Sequence, residues 1–149
     1  MRGQERQERE VSVMLAPVLI AHTDSRLRSM LRGVLEDTGR AVMEATDPES
    51  ALATLRASER GMVVLFDVAL FSNTLTGGDS VTLLGAATHD RRLTKQHAFV
   101  VITPTPENVA VVFGRMLERI GAPIVAEPVD TASLRRAIIE AERPLLVTA

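Results

Sequence analysis

The residue best placed to do chemistry is Asp67, the one carboxylate in the apolar run MVVLFDVAL from Met62 to Leu70. A short run rich in Val, Leu and Phe, introduced by Gly61, predicts a strand covered on both faces, the central kind in a parallel sheet. A charge is costly to bury inside such a strand, so Asp67 is expected where the strand emerges. In open α/β sheets that carboxyl edge is where ligands gather. An Asp at this point can also do no more than cap a loop or helix, and the two readings are separated only by its surroundings. Two further strand ends carry polar groups: His22, Thr23 and Asp24 follow an early apolar run, and Thr103 closes a later one before Pro104. The segment HTDSRLR that starts at His22 has no glycine, so no phosphate-cradling loop opens there.

The elements that must position these residues alternate regularly. Pro17 to Ala21 (PVLIA) reads as a strand, followed by a helix with Leu27, Met30, Leu31, Val34 and Leu35 on one face, capped by Thr23 or Asp24 and stopped at Gly39. Ala41 to Thr46 is a second strand, and Asp47-Pro48 opens a helix that buries Ala51, Leu52 and Leu55. After the central strand, FSNTLTGG marks a loop, and a third helix starts at Asp79 or Ser80 over Val81, Leu84 and Ala87. The run HDRRLTKQ, with His89, Arg91, Arg92 and Lys95, ends that helix as a solvated basic loop. His97 to Thr103 is a fourth strand. Pro106 begins a fourth helix over Val109, Val112, Phe113, Met116, Leu117 and Ile120, closed by Gly121. Pro123 to Ala126 is a fifth strand, and Asp130 or Thr131 caps a fifth helix over Leu134, Ala137, Ile138 and Ala141, which Pro144 stops. Five strands alternating with five helices require right-handed crossovers and a parallel sheet covered on both faces.

Length and composition restrict the function classes. A chain of 149 residues, 46% hydrophobic, supports one full core and hardly two. We divide it into an N-terminal extension over residues 1–14, a domain over residues 15–143 and a tail over residues 144–149. The decapeptide MRGQERQERE has no apolar residue to offset its ordering entropy, so a flexible extension is expected. With a formal charge of -2 and 17 Lys plus Arg spread along the chain, no basic footprint for nucleic acid is present. Four Phe and no Trp or Tyr make base stacking a poor fit. Absence of cysteine removes disulfides and thiolate chemistry and agrees with a cytoplasmic location. No apolar stretch approaches the ~20 residues of a membrane helix, and Val11 to Ala21 lacks the basic flank of a signal peptide.

The order of these features from Pro17 to Arg143 resembles the receiver domain of two-component response regulators. Asp67 at the end of strand three looks like the family's phospho-accepting aspartate, and Thr103 like its conserved Ser/Thr switch residue. The segment GAPIVAEPVDTASL from Gly121 to Leu134 is similar to the family's Gly-Ala turn, fifth strand, Lys-Pro dipeptide and last helix. The resemblance implies a single-domain flavodoxin-like (βα)5 doubly wound sheet of order 2-1-3-4-5.

The departures from the family pattern fall on the chemistry. The two acidic residues that the family places after strand one to hold magnesium are here His22 and Thr23. A register slip that brought in Asp24 would move Leu27, Met30, Leu31, Val34 and Leu35 off the buried face. The family's lysine is Glu127, its aromatic switch residue is Ile124, and Phe71 and Gly77-Gly78 change the loop after Asp67. At about 5 Å and an effective dielectric of about 20, one charge pair is worth about 3 kcal/mol, so replacing Lys by Glu is worth about twice that before screening. Phosphoryl transfer rests on positioning and on cations that offset negative charge, so phosphorylation of Asp67 is expected to be slow or absent and magnesium binding weak or absent. The resemblance then implies a stand-alone, degenerate receiver-like module of bacterial signalling that is not an enzyme and uses no cofactor. It would act by contact with a protein partner, such as a histidine kinase or an effector, or with a second copy, through the fourth helix, fifth strand and fifth helix. The unbroken row Val109 to Phe113 in the fourth helix is wider than one buried stripe requires and fits either such a contact or deeper burial. The alternative is a small α/β enzyme or a metal- or ligand-binding domain using His22, Asp67 and Glu127 at the sheet edge.

Overall fold

Strand formation follows the shortest, most β-branched apolar runs of the chain. The computed structural model describes residues 15–67 and 91–148. The expected extension over residues 1–14, the loop after Asp67 with Phe71 and Gly77-Gly78, and the start of the third helix lie outside the described residues. Within them, β1 (Val18–Ala21), α1 (Ser25–Asp37), β2 (Val42–Ala45), α2 (Pro48–Ala57), β3 (Val63–Phe66), α3 (Arg91–Gln96), β4 (Ala98–Thr103), α4 (Pro106–Arg119), β5 (Ile124–Ala126) and α5 (Thr131–Thr148) follow in order. All strand pairs are parallel and the sheet order is β2-β1-β3-β4-β5, as expected.

A parallel sheet covered on both sides needs apolar residues at every strand position, and β1, β3 and β4 are buried throughout. Period-two alternation divides them between two cores. Leu19, Val64, Phe66, Phe99 and Val101 face α2 and α4, where Leu52, Leu55, Val109 and Leu117 meet them. Val18, Ile20, Val63, Leu65, Val100 and Ile102 face α1 and α5, where Leu27, Leu31, Leu35, Leu134 and Ile138 meet them. Each buried Leu or Ile contributes about 1.5–3 kcal/mol relative to exposure, so the two layers clamp the sheet between them. Phe66 and Phe99 pack edge to face at 6.2 Å between ring centres, just below Asp67.

The helix starts are fixed by short acids. Asp24 Oδ1 accepts from the N–H groups of Arg26 at 2.9 Å and Leu27 at 3.3 Å. Asp47 accepts from Ser50 N–H at 2.8 Å ahead of Pro48, and Asp130 from Ser133 N–H at 3.1 Å. These bonds hold the carboxyls of Asp47 and Asp130 below the usual range, led by the Ser50 N–H in the first and the Ser133 hydroxyl in the second. Gly39 ends the α1 turn at φ +83°, a left-handed conformation that a Cβ would strain.

Four expectations need correction. Met30 is 39% exposed and Val112 69% exposed, not buried. Each stands three residues after the first buried residue of its helix (Leu27 and Val109), which at 3.6 residues per turn puts it about 60° off that residue, at the margin of the buried stripe. Arg91 to Gln96 is helical instead of a loop, because the single buried Leu93 seats the turn while Arg91, Arg92 and Lys95 stay exposed. Finally, α5 continues through Pro144 to Thr148. The carbonyl that Pro144 leaves without an N–H belongs to Glu140, on an exposed part of the helix where water can take it.

Candidate functional site

Parallel register brings His22 and Asp67 level. Ala21 pairs with Phe66, the last residues of β1 and β3, so the next residue of each strand emerges side by side at the carboxyl edge. Asp67 N–H donates to Ala21 O at 3.2 Å and His22 N–H to Ala45 O at 3.3 Å, which carries the sheet bonding one step past the strands. The His22 ring is buried, and its Nδ1 accepts the N–H of Asp24 at 3.0 Å. That bond puts the ring proton on Nε2, which points at Asp67 Oδ2 from 3.6 Å. The separation is too long for a hydrogen bond, and Nε2 has no such partner among the described residues. An imidazole N–H therefore faces the carboxylate without closing on it.

A network that sequence reasoning missed holds this turn in place. The Arg28 guanidinium donates from Nη1 to His22 O at 2.7 Å and Thr23 O at 3.0 Å, and its Nε reaches Glu44 Oε1 at 3.1 Å. Arg32 joins the same carboxylate at 2.6 Å and Glu36 at 2.8 Å. Its signals in the sequence were two arginines four residues apart on one helix and a single charge, Glu44, inside the strand AVMEAT.

The other predicted site residues occupy the same edge but not the same cluster. Thr103 is buried, and its hydroxyl accepts the N–H of Thr105 at 3.1 Å, so it faces the start of α4. Glu127, half-buried, donates its N–H to Thr103 O at 2.9 Å and precedes a cis peptide to Pro128. Ile124 lies at the beginning of β5, two residues below the edge, packed against the core and only partly buried. Thr23 is exposed, and Asp24 spends Oδ1 on the helix start. Among the described residues no three His, Asp or Glu side chains come close enough to hold a metal ion, so the trio His22, Asp67 and Glu127 does not form the site considered for it.

These donors do not suit the magnesium ion that the receiver fold implies. Magnesium needs hard oxygen ligands in octahedral array, whereas here the neighbour of Asp67 is a nitrogen ring whose free edge carries a proton. Among the described residues, no helix is long and apolar enough to cross a membrane.

No protein-family model matches the sequence, and neither does any curated protein. Solved structures do. The chain is similar to the Vibrio cholerae chemotaxis protein CheY4, with 20% identity over 85% of this chain and 98% of that one and a TM-score of 0.62. It is similar to the signal receiver domain of an HD domain-containing protein from Pseudomonas fluorescens Pf-5, at 14% identity over 91% and 93% of the two chains with a TM-score of 0.69. It also resembles the receiver domain of sensor histidine kinase PA1611 from Pseudomonas aeruginosa PAO1, which holds magnesium in its active-site cleft, at 14% identity, 85% and 97% coverage and a TM-score of 0.62. Five parallel strands in the order 2-1-3-4-5, with His22 and Asp67 on the carboxyl edge, thus form the fold of a CheY-like response-regulator receiver domain.

Proposed function

We propose that the chain is a receiver-like signalling module of a two-component or phosphorelay system that works by protein contact without phosphorylation and catalyses no reaction. Asp67 keeps the phosphoacceptor position, while His22, Thr23 and Glu127 replace the acids and the lysine of the receiver pattern. A nitrogen donor lies 3.6 Å from Asp67, which supports a pocket with little use for a hard cation. Thr103 and Ile124 keep the switch positions without the aromatic partner. Little in this pocket can report a phosphoryl group, which leaves the surface to carry the signal.

The observation that carries this reading is the outer face of α4. Val109 and Leu117 already fill its inner stripe, yet Val111 is 85% and Val112 69% exposed next to exposed Ala110. Deeper burial of the helix therefore does not account for the wide apolar row, and contact with another protein does. The partner surface would run from α4 over β5 to α5, where Ile139 is also exposed, and would take either a kinase or effector or a second copy of the chain in the cytoplasm.

Two results are expected. Acetyl phosphate or beryllofluoride with magnesium leaves Asp67 unmodified by mass spectrometry; stoichiometric incorporation would sink the proposal. Proteins crosslinked to the chain in its native organism are the same for wild type and Asp67→Asn, but are lost with Val111→Asp and Val112→Asp combined. Because both valines are exposed, that double variant should keep its melting curve to within about 0.5 kcal/mol per site.

A further inference from the structure

The carboxyl edge holds one buried donor that the signalling role leaves unused. His22 is 5% exposed, and its Nε2 has no hydrogen-bond partner among the described residues, although Asp67 Oδ2 stands 3.6 Å away. The other ring nitrogen, Nδ1, accepts Asp24 N–H at 3.0 Å and so ties the ring to the turn that enters α1. We propose that His22 is a proton-driven switch: on gaining a second proton, the ring lets go of the α1 turn and closes on Asp67, just past the end of β3.

The two states are dictated by the ring's single acceptor. A neutral imidazole has one acceptor nitrogen, and here Asp24 N–H occupies it. A second proton can enter only at that nitrogen, which sets N–H against N–H and breaks the bond. The charged ring then has a better partner on its other side. Its Nε2 is about 0.8 Å farther from Asp67 Oδ2 than a charge-assisted hydrogen bond requires, a gap that a small ring rotation closes. The backbone does not have to follow. Arg28 Nη1 holds the carbonyls of His22 and Thr23, and Asp24 Oδ1 keeps the N–H groups of Arg26 and Leu27 in either state. Among the described residues, the charged groups around the ring are Asp67 after β3, Asp24 and Arg28 of the α1 turn and helix, and Glu44 of β2. Arg28 is paired with Glu44, which also binds Arg32, and Asp24 is engaged in the helix start, so Asp67 is the anion that the Nε2 edge faces. Proton uptake thus moves one link from β1–α1 to β1–β3 at the edge where the receiver pattern would place a phosphoryl group.

The test is a pH titration of the full chain by NMR, from pH 8 to pH 5, reading the His22 ring nitrogens and the Asp24 amide in wild type, His22→Asn and Asp67→Asn. In wild type the ring starts with its proton on Nε2 alone. As it charges, Asp24 N–H should exchange with water at least about fivefold faster after correction for the intrinsic effect of pH, the worth of one lost hydrogen bond. Over the same step Nε2–H should exchange more slowly. His22→Asn offers an acceptor that cannot titrate, so its Asp24 amide should show no step. Asp67→Asn should still release Asp24 when the ring charges but lose the slowing of Nε2–H. A cooperative melt of each variant shows that it folds. The proposal is overturned if Asp24 ignores the charging of the ring, if the step persists in His22→Asn, or if Nε2–H behaves alike with and without the Asp67 carboxylate. A ring that stays neutral until the chain unfolds overturns it as well. None of these readings involves Val111 or Val112, so the switch and the contact role of α4 stand or fall separately.

Discussion

Arg40→Ala is expected to lower the unfolding free energy by about 3–5 kcal/mol, the cost of leaving a buried charge without its partner. Arg40 follows the left-handed Gly39 and reaches across to Glu142 on α5; the two side chains are only 8% and 7% exposed. They form a buried ion pair, and Arg40 Nη1 also donates to Ala16 O at 2.9 Å. Burial pushes the Glu142 carboxyl above its usual range, and Arg40 opposes that rise. A raised folded-state value means that the protonated form favours the fold: this contribution is complete below the unfolded value of 4.5 and is lost as pH rises through the folded one. Removing Arg40 removes the opposing charge, so the defect should be largest at neutral and alkaline pH and shrink on acidification. Urea unfolding at pH 8 and pH 5 checks this, through the midpoint at unchanged slope. The double variant Arg40→Met with Glu142→Leu should recover most of the loss, because the uncompensated charge is gone along with its partner. A single variant as stable as wild type at pH 8 would contradict the argument.

How far the sequence reveals such features depends on whether they are local. The strands and the caps at Asp24, Asp47 and Asp130 were legible because each rests on a few consecutive residues: an apolar run, or an acid followed by a helical stripe. The placement of Asp67 at a strand end was legible for the same reason. What was not legible are contacts between residues distant in sequence. The Arg40 to Glu142 pair spans the whole domain, and neither residue breaks a local pattern. The Arg28, Glu44 and Arg32 network joins α1 to β2 through side chains that read singly as surface charges. Helix margins were also misread, since the 100° step cannot say how wide a stripe the sheet will cover, as Met30 and Val112 show. Within the site, proximity of His22 to Asp67 follows from strand order, which periodicity leaves open and the receiver resemblance supplied. The convergence of Glu127 with them rested on shared edge position alone, and an edge five strands wide is too broad for that.

His97→Leu should cost about 2–5 kcal/mol at pH 8, because it strands two buried backbone groups at about 1–3 kcal/mol each. His97 is 1% exposed. Its Nδ1 accepts Met62 N–H at 3.0 Å and its Nε2–H donates to Leu55 O at 3.0 Å, so the neutral ring with its proton on Nε2 bridges the end of α2 to the start of β3. A second proton would set Nδ1–H against the Met62 N–H. Burial accordingly lowers the pKa from 6.5, with the Leu55 bond acting the other way. With a depressed folded-state value, the unfolded chain takes the proton first: the stabilisation is complete above pH 6.5 and is lost as pH falls through 6.5 toward the folded value, by up to about 1.4 kcal/mol per unit. Wild type and His97→Leu should therefore converge in stability between pH 8 and pH 5, the opposite trend in wild type to that set by Glu142 alone. A gap between them that stays constant over that range would show that the ring is already charged or already free of its bonds.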